Sequence, residues 1–395
     1  MFARLFDRRK AASRIVAALS MLWLAACDPT LMAPGVSGGG GPAIDPSDPV
    51  QVALLVPRGS GDPSDDFLAT NLENAARLAI SDLSGVSIDL RVYSTGASPA
   101  LAAQAAQTAI GDGAQIILGP LYAEAANAAG VVAAPAGINV LSFSNNTTIA
   151  GGNVFVLGPT FRNTANRLVR HGVRNGIDSY VIVHADDLQG AVGRDAIASA
   201  VRGNGGRVAG IQSYPLSQQG ILDAVPRIAE AARSGGAGAV FLTAGVNADL
   251  PILATALPEA GINPAATRYI GLTRWNASAE ALALPGLQGG LFAVPDQQMT
   301  AIFESRYEAA YGGAPHPLAG LAYDGIAAIG ALVASGNRGA LTRAGLTQPQ
   351  GFQGIGGIFR LLADGTNERG LAVATIRNNQ VVILERAPRT FGGGS

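Results

Sequence analysis

The sequence has one cysteine and three histidines, and each scarcity excludes a class of site. A single thiol, Cys27, can form neither a disulfide within the chain nor a zinc site with several thiolates. His171, His184 and His316 lie far apart, without the spacing of a helical metal-binding pair, so we expect ordinary surface or core positions for them. The sequence therefore predicts no metal and no cofactor.

Charged residues are also scarce, at 14% against roughly 25% in an average soluble domain. The formal net charge is −1, which gives no general attraction to nucleic acid or to an anionic membrane. Lysine occurs once, at Lys10, and the arginines are scattered along the chain, so the sequence predicts no arginine surface for phosphate. The 48% of hydrophobic residues in 395 positions is enough for large buried cores.

Motifs of catalysis are missing as well. The chain has no Gly-x-Ser-x-Gly nucleophile turn and no phosphate-binding Walker loop. Without a recognisable nucleophile, acid–base pair or metal set, the sequence predicts a protein that is not an enzyme.

The N-terminus has the pattern of a bacterial lipoprotein signal. A basic start precedes an apolar run at residues 15–26, which is too short for the roughly 20 residues that a membrane-spanning helix needs. The run ends in Leu24-Ala25-Ala26-Cys27, which is typical of a lipobox. We therefore predict a signal peptide at 1–26, an acylated Cys27, and a Gly/Pro-rich tether at 27–49 that anchors the protein to the inner or outer membrane on the periplasmic side.

From residue 50 onward, short apolar runs alternate with alanine-rich helical stretches. Runs at 50–56, 87–93 and 115–118 predict strands, with helices at 70–83 and 100–110 between them. The pattern restarts near residue 161 and ends in antiparallel strands at 372–377 and 380–384. This order predicts an α/β fold of two lobes, each a mostly parallel sheet flanked by helices, with a central cleft. Ligands of such sheets bind beyond the carboxyl ends of the strands.

Several stretches resemble known proteins. VALLVP (52–57), IILGPLYAEAANA (116–128), VLSFSNNTTIA (140–150) and FQGIGGIFRLLADG (352–365) are similar to the type I periplasmic binding proteins of the leucine/isoleucine/valine-binding class. More narrowly, GLTRWN (271–276), LFAVPD (291–296) and RGLAVATI (369–376) resemble the branch of penicillin-binding-protein activator lipoproteins. The resemblance implies one binding-protein domain at 50–390 with three crossings between its lobes. Lobe 1 would take about 50–159 and 277–347, and lobe 2 about 160–276 and 352–388.

In the amino-acid-binding relatives, two loops of the first lobe grip the carboxylate and ammonium groups of the ligand. The first loop lies at a helix N-terminus, which attracts anions, and corresponds to Leu121, Tyr122 and Ala123. The second is rich in donors and acceptors and corresponds to Ser144, Asn145, Asn146 and Thr147. An alternative for the second loop is a turn whose side chains cap their own backbone.

The second lobe departs from these relatives. Where they place an aromatic residue, this chain has Gln189, and their acidic residue corresponds to Ala248, or to Asp249 after a shift of one residue. Asp186 and Asp187 are further acids, either near the ligand or simply solvated. Trp275 and Asn276 are predicted at the hinge or cleft, where Trp275 would stack on a ligand, face a partner or pack in the hinge.

Three functions follow from these features. The main prediction is a non-catalytic regulator of peptidoglycan synthesis, like the penicillin-binding-protein activators, with a penicillin-binding protein as partner. The alternative is a solute-binding receptor for amino acids or related small polar ligands, with an ABC transporter permease as partner. A sensor domain of a signalling protein shares the ligand prediction and stays open.

Overall fold

The structure is a computed structural model that describes residues 42–392. Cys27, the predicted signal peptide and the tether as far as residue 41 lie outside the described residues. The last residues of the predicted tether belong to the folded body: Ile44 is fully buried, and its N–H donates to the carbonyl of Arg338 at 2.9 Å.

Residues 50–156 form a first sheet and its helices. The strands are β1 (Val50–Val56), β2 (Ile88–Ser94), β3 (Ile116–Leu118), β4 (Val140–Ser142) and β5 (Val154–Val156). The helices are α1 (Pro63–Asp82), α2 (Pro99–Gly111) and α3 (Ala123–Ala133). All neighbouring strands are parallel, in the order β2-β1-β3-β4-β5.

The chain then builds a second series of strands and helices. The helices are α4 (Phe161–Arg174), α5 (Leu188–Gly203), α6 (Gln218–Ser234) and α7 (Leu250–Glu259). The strands are β6 (Ser179–Ala185), β7 (Arg207–Tyr214), β8 (Ala239–Leu242) and β9 (Arg268–Gly271).

The last third of the described chain contributes to both halves. Its helices are α8 (Ala279–Ala283), α9 (Gln297–Tyr311), α10 (Gly320–Ala334) and α11 (Arg343–Leu346). Its strands are β10 (Leu291–Val294), β11 (Phe352–Gly354), β12 (Gly357–Leu361), β13 (Asn367–Arg369), β14 (Ala372–Arg377) and β15 (Gln380–Glu385). The second sheet has the order β15-β14-β10-β9-β8-β6-β7, and β11-β12-β13 form a small antiparallel sheet.

Helices cover both faces of each large sheet, which explains the unbroken apolar runs. The strand β1 reads VQVALLV, and the side chains of Leu54 and Leu55 belong to different cores. Leu54 packs with residues of α1 and α10, whereas Leu55 packs with residues of α2 and α3. A parallel strand that is buried on both faces has no need of alternating polar residues. The predicted α/β fold of two lobes with parallel sheets and flanking helices is therefore confirmed.

The lobe boundaries differ from those that the resemblance implied. The segment 277–294 was predicted in lobe 1, but β10 pairs with β9 and β14 in the second sheet, and Leu287 packs in the second core. The chain therefore returns to the first lobe at 295–296. In the other direction, Phe352 and Phe359 pack in the first core, so of the predicted stretch 352–388 only the part from β14 onward joins the second sheet.

The crossing segments lie against one another. The side-chain amide of Asn367 donates to the carbonyls of Val156 (2.7 Å) and Gly158 (2.9 Å), which joins the first crossing to the third. Asp324 of α10 is buried and accepts from Arg369 at 3.0 Å. Burial raises the pKa of the Asp324 carboxyl, against the opposing effect of the Arg369 guanidinium. A buried ion pair thus connects the first core to a crossing segment.

Candidate ligand-binding cleft

The carboxyl ends of both large sheets point towards the crossings. The strand β5 ends at Val156, next to Asn367, and β10 ends just before Asp296, whose N–H donates to the carbonyl of Gly356 at 2.9 Å. The other strands of the first sheet run parallel to β5, and β6 to β9 run parallel to β10. The loops that follow these strands therefore gather on the crossing side, where the fold places its ligand.

The loop after β3 contains the predicted residues Leu121, Tyr122 and Ala123. Tyr122 is 41% exposed at the N-cap position of α3, and its hydroxyl donates to Asp65 of α1 at 2.5 Å. This hydrogen bond, together with burial, raises the pKa of the Tyr122 phenol to about 12, so the group stays a donor at neutral pH. Among the described residues no side chain caps α3. The main-chain N–H groups of its first turn are therefore available to an anion.

The loop after β4 contains Ser144, Asn145, Asn146 and Thr147. Ser144 is buried, and its hydroxyl accepts from the N–H of Asn146 at 3.1 Å. The Asn146 side chain in turn accepts from the N–H of Thr148 at 2.9 Å. These two residues shape the turn, as the alternative prediction held. The side chains of Asn145 and Thr147 are exposed and make no hydrogen bond within residues 42–392, which leaves them for a ligand.

The two loops are held together by backbone contacts. The carbonyl of Pro120 accepts from the hydroxyl of Ser142 (2.9 Å) and from the N–H of Phe143 (3.0 Å). Gly119 approaches β1 so closely that an added Cβ would meet the carbonyl oxygen of Leu55 at 2.3 Å, and its φ of +87° also favours glycine. The first-lobe side of the cleft is therefore a well-defined surface.

In the second lobe, the loop after β6 leads into α5. Asp187 is the N-cap of α5 and accepts from the N–H of Gly190 at 2.6 Å. Asp186 and Gln189 are exposed, and their side chains form no hydrogen bond in the described part of the chain. Asp187 therefore serves its own helix, while Gln189 and Asp186 are open to solvent.

Asp249, predicted to meet an ammonium group, lies in the loop after β8. It is buried, and its carboxylate accepts from the N–H of Gly245 at 2.7 Å and from the Tyr214 hydroxyl. Burial and this contact raise the pKa of the Tyr214 phenol, so the hydroxyl remains protonated. The geometry gives Asp249 the role of holding its own loop to β7.

Trp275 lies in the second core and not in a crossing segment. Its ring is fully buried and packs on Phe292 with a centroid distance of 5.6 Å. Gly271 and Gly290 lie against the indole so closely that an added Cβ would come within 2.2 Å and 2.5 Å of it. Neither a stacked ligand nor hinge packing, as predicted for Trp275, agrees with this position. The neighbouring Asn276 is exposed on a short 3-10 turn.

Sequence reasoning missed two arginines in loops after strands. Arg58 follows β1 and forms an ion pair with Glu73 at 2.9 Å. Arg274 follows β9 and is exposed. Their position directly after buried strands was the signal that could have found them, because such loops gather at one edge of a parallel sheet.

The described residues contain no group of three or more His, Cys, Asp or Glu side chains arranged to hold a metal ion. His184 is buried, with Nδ1 at 2.8 Å from the carbonyl of Ala185, and His171 contacts Glu385 at 2.8 Å. Within residues 42–392, none of the helices combines the length and the apolar character that crossing a bilayer requires.

The family follows from the sequence of nearly the whole body, since residues 49–380 match the family model described as periplasmic binding protein. The chain is a periplasmic binding protein. Proteins of this family bind solutes. No curated protein sequence matches the chain.

Solved structures with the same fold place this periplasmic binding protein among transport proteins. A putative branched-chain amino acid ABC transporter protein from Rhodospirillum rubrum is 18% identical, with a TM-score of 0.70, over 85% of this chain and 100% of that chain. An ABC transporter substrate-binding protein from Desulfitobacterium hafniense, solved with Leu, is 19% identical, with a TM-score of 0.59 over 85% and 100%. A solute-binding protein from R. palustris, solved with benzoate, is 19% identical, with a TM-score of 0.53 over 87% and 97%.

These comparisons correct the main functional prediction. A regulator of peptidoglycan synthesis acting on a penicillin-binding protein is wrong for this chain, because the similar structures are substrate-binding proteins of ABC transporters. They support the alternative prediction of a solute receptor.

Proposed function

We propose that this protein is the solute-binding component of an ABC transporter and that its cleft takes a small carboxylate-bearing solute. The observation that carries the proposal is the first-lobe surface, where the uncapped N-terminus of α3 lies beside the exposed side chains of Asn145 and Thr147. Main-chain N–H groups at a helix N-terminus, with nearby side-chain donors, suit a carboxylate.

The second lobe bears on the rest of the ligand. Asp249 is buried and already accepts two hydrogen bonds, so it offers little to an ammonium group. The exposed Asp186 and Gln189 supply one acid and one amide at the same edge. The ligand is therefore either an amino acid whose ammonium group meets Asp186 or an acid that lacks this group. Leucine and benzoate represent the two classes.

The test is a thermal melt of the full chain in detergent, followed by the fluorescence of the buried Trp275. A ligand at a hundred times its Kd stabilises the folded state by about 2.7 kcal/mol. We expect leucine or benzoate to raise the Tm of the wild type and of the control Gln107→Ala, an exposed amide on α2. The double variant Asn145→Ala/Thr147→Ala should lose most of this rise. If no small carboxylate raises the Tm, the proposed ligand class is wrong.

A transport role makes a cellular prediction. Cells without the protein should take up less of the radiolabelled ligand, and the wild-type chain should restore uptake better than the Asn145→Ala/Thr147→Ala variant. Equal uptake with and without the protein would contradict the proposal.

We also propose that the mature protein is anchored in the periplasm through lipid on Cys27. The support is the Leu24-Ala25-Ala26-Cys27 pattern after a basic and apolar start. Metabolic labelling with a fatty acid should mark the wild type and not Cys27→Ser, and cell fractionation should show which membrane holds the labelled protein. Absence of label in the wild type would remove the anchor from the proposal.

A further inference from the structure

A cavity of about 520 Å³ lies away from the cleft loops, between α4, the small sheet and the segment that follows β15. Its described lining is dominated by arginines from both ends of the body. They are Arg162, Arg167, Arg170, Arg174, Arg360 and Arg369. The two sets are nearly 200 residues apart in the chain, so the fold creates a cluster that the scattered sequence pattern did not predict.

Three of these arginines lie on one face of α4. Arg167, Arg170 and Arg174 follow one another at spacings of three and four residues, and all three line the cavity. Like charges at these spacings on a helix repel each other. The repulsion favours an opposite charge in front of this face.

The protein supplies part of that charge through Glu385 of β15. Its carboxylate accepts from Arg167 at 2.8 Å, from Arg174 at 2.7 Å and from His171 at 2.8 Å. Burial alone would raise the pKa of Glu385, but the hydrogen bonds from His171, Arg167 and Arg174 outweigh it and lower the pKa to about 2. One carboxylate thus serves three cationic partners.

The remaining arginines differ in how fully they are paired. Arg360 binds Glu368 at 2.6 Å and lies 4.7 Å from the ring centroid of Phe391. Arg369 pairs with the buried Asp324. Arg170 is exposed and has no hydrogen bond or ion pair among residues 42–392. Among the described lining residues, six guanidinium groups face two carboxylates, which leaves a surplus of positive charge.

We propose that this cavity binds a phosphate-bearing anion. The planar guanidinium group offers paired donors that match the oxygens of phosphate, and several of them converge here. The volume lies within the range of small-ligand sites, so a diphosphate group with a modest substituent fits. Because α4 belongs to the second lobe and β12 packs on the first core, the anion would contact both sides of the hinge.

A structural explanation for the arginines makes a different prediction. If they only hold the C-terminal segment, their effect on stability should not depend on added anion, and Arg170, which has no internal partner in the described chain, should contribute nothing. Arg170 therefore separates the two explanations, because its replacement removes charge from the cavity without breaking an internal contact.

The test measures the Tm of the full chain in detergent with inorganic pyrophosphate, at constant ionic strength set with sodium chloride. We expect a rise of several degrees that exceeds the chloride reference. The control Arg202→Ala, an exposed arginine of α5 outside the cavity, should keep the rise. Arg170→Ala should keep the wild-type Tm without anion and lose at least half of the rise. No rise, or an equal rise in Arg170→Ala, overturns the proposal.

A second ligand distinguishes a soluble phosphate from a lipid head group. Dihexanoyl phosphatidylglycerol, a water-soluble phospholipid, is titrated with and without pyrophosphate. A shift that depends on Arg170 and is larger than that of pyrophosphate assigns the site to a phospholipid head group. A smaller shift assigns it to soluble phosphate compounds, and shifts that do not depend on Arg170 for either probe reject the site.

Discussion

The two lobes have similar parallel sheets, but the polar groups at the carboxyl ends of their strands differ in how they are used. In the first lobe, the side chains of Asn145 and Thr147 are exposed, and no described side chain caps α3. In the second lobe, Asp187 caps α5, and Asp249 binds the Gly245 N–H and the Tyr214 hydroxyl. The first lobe thus presents donors to the cleft, whereas the second uses its acids to hold its own loops.

The difference teaches that a polar residue after a strand is not by position alone a ligand contact. Its availability depends on partners elsewhere in the fold. The same holds for the two aromatic candidates, since Tyr122 is 41% exposed at the cleft edge and Trp275 is 0% exposed in a core. Four substitutions test this contrast between the lobes.

The largest effect is expected at the connection between the lobes. Asp324→Ala leaves the Arg369 guanidinium buried without its carboxylate, and breaking such a buried pair costs about 3–5 kcal/mol. The free energy of unfolding, measured in urea by Trp275 fluorescence, should fall by that amount. Glu304→Ala, an exposed acid on α9, should stay within about 0.5 kcal/mol of the wild type. A loss below 1 kcal/mol for Asp324→Ala would show that the crossing does not depend on this pair.

The second effect concerns Asp249. Replacement with alanine leaves the Gly245 N–H and the Tyr214 hydroxyl without their acceptor, which costs about 1–3 kcal/mol. Asp249→Asn should restore part of the stability. With ligand, Asp249→Asn should keep nearly the wild-type affinity by calorimetry, because the side chain serves its loop. A stable Asp249→Asn protein with a hundredfold loss of affinity would instead make Asp249 a ligand contact and break the comparison.

A smaller effect is expected for Tyr122 in the first lobe. Tyr122→Phe removes the hydrogen bond to Asp65 that joins the loop after β3 to α1, and the loss should be about 1 kcal/mol. Amide hydrogen exchange should increase in the first turn of α3 more than in α5. Equal exchange in both helices would indicate that the Tyr122 hydroxyl does not position the cleft loop.

The smallest effect at neutral pH concerns Glu385. Its pKa is lowered from 4.5 to about 2, so its stabilising contribution is fully present above about pH 4.5 and is lost as the pH falls from 4.5 towards 2. The contribution should be about 1 kcal/mol after allowance for solvent screening. A Tm measured against pH should therefore fall more steeply in that window for the wild type than for Glu385→Gln. Parallel curves would show that the cluster around Glu385 adds no pH-dependent stability.

Much of the fold could be predicted from local patterns. The strands β10 and β14 were predicted with the bounds that the structure has, because each is a short apolar run bordered by polar or turn residues. The turn between β14 and β15 was predicted at Asn378 and Asn379, which have φ of 52° and 62°. The three-residue strand β5 was missed, since Val154–Val156 follows two glycines and is too short for a periodic signal. The helix α1 begins at Pro63 and not at 70, because Asp62 caps it.

The membership of β10 shows a limit of the same reasoning. Its sequence predicts a buried strand, but a buried strand fits either sheet. Pairing with Ile270 of β9 and with Ala374 of β14 places it in the second lobe, and these partners are 20 and 80 residues away. The crossing back to the first lobe is therefore a property of the pairing.

The sequence by itself determined the periodic burial of strands and helices, and with it the α/β class and the order of the elements. This information is local, because burial of a strand or a helix face is written in residues two to four positions apart. Only the tertiary structure decided which polar groups are paired and which are open. Asp249 finds Tyr214 35 residues away, and the arginines of α4 meet Arg360 across nearly 200 residues. Hydrogen bonds and charge repulsion depend on distance in space, so the open donors of the cleft and the positive cavity exist only in the folded chain.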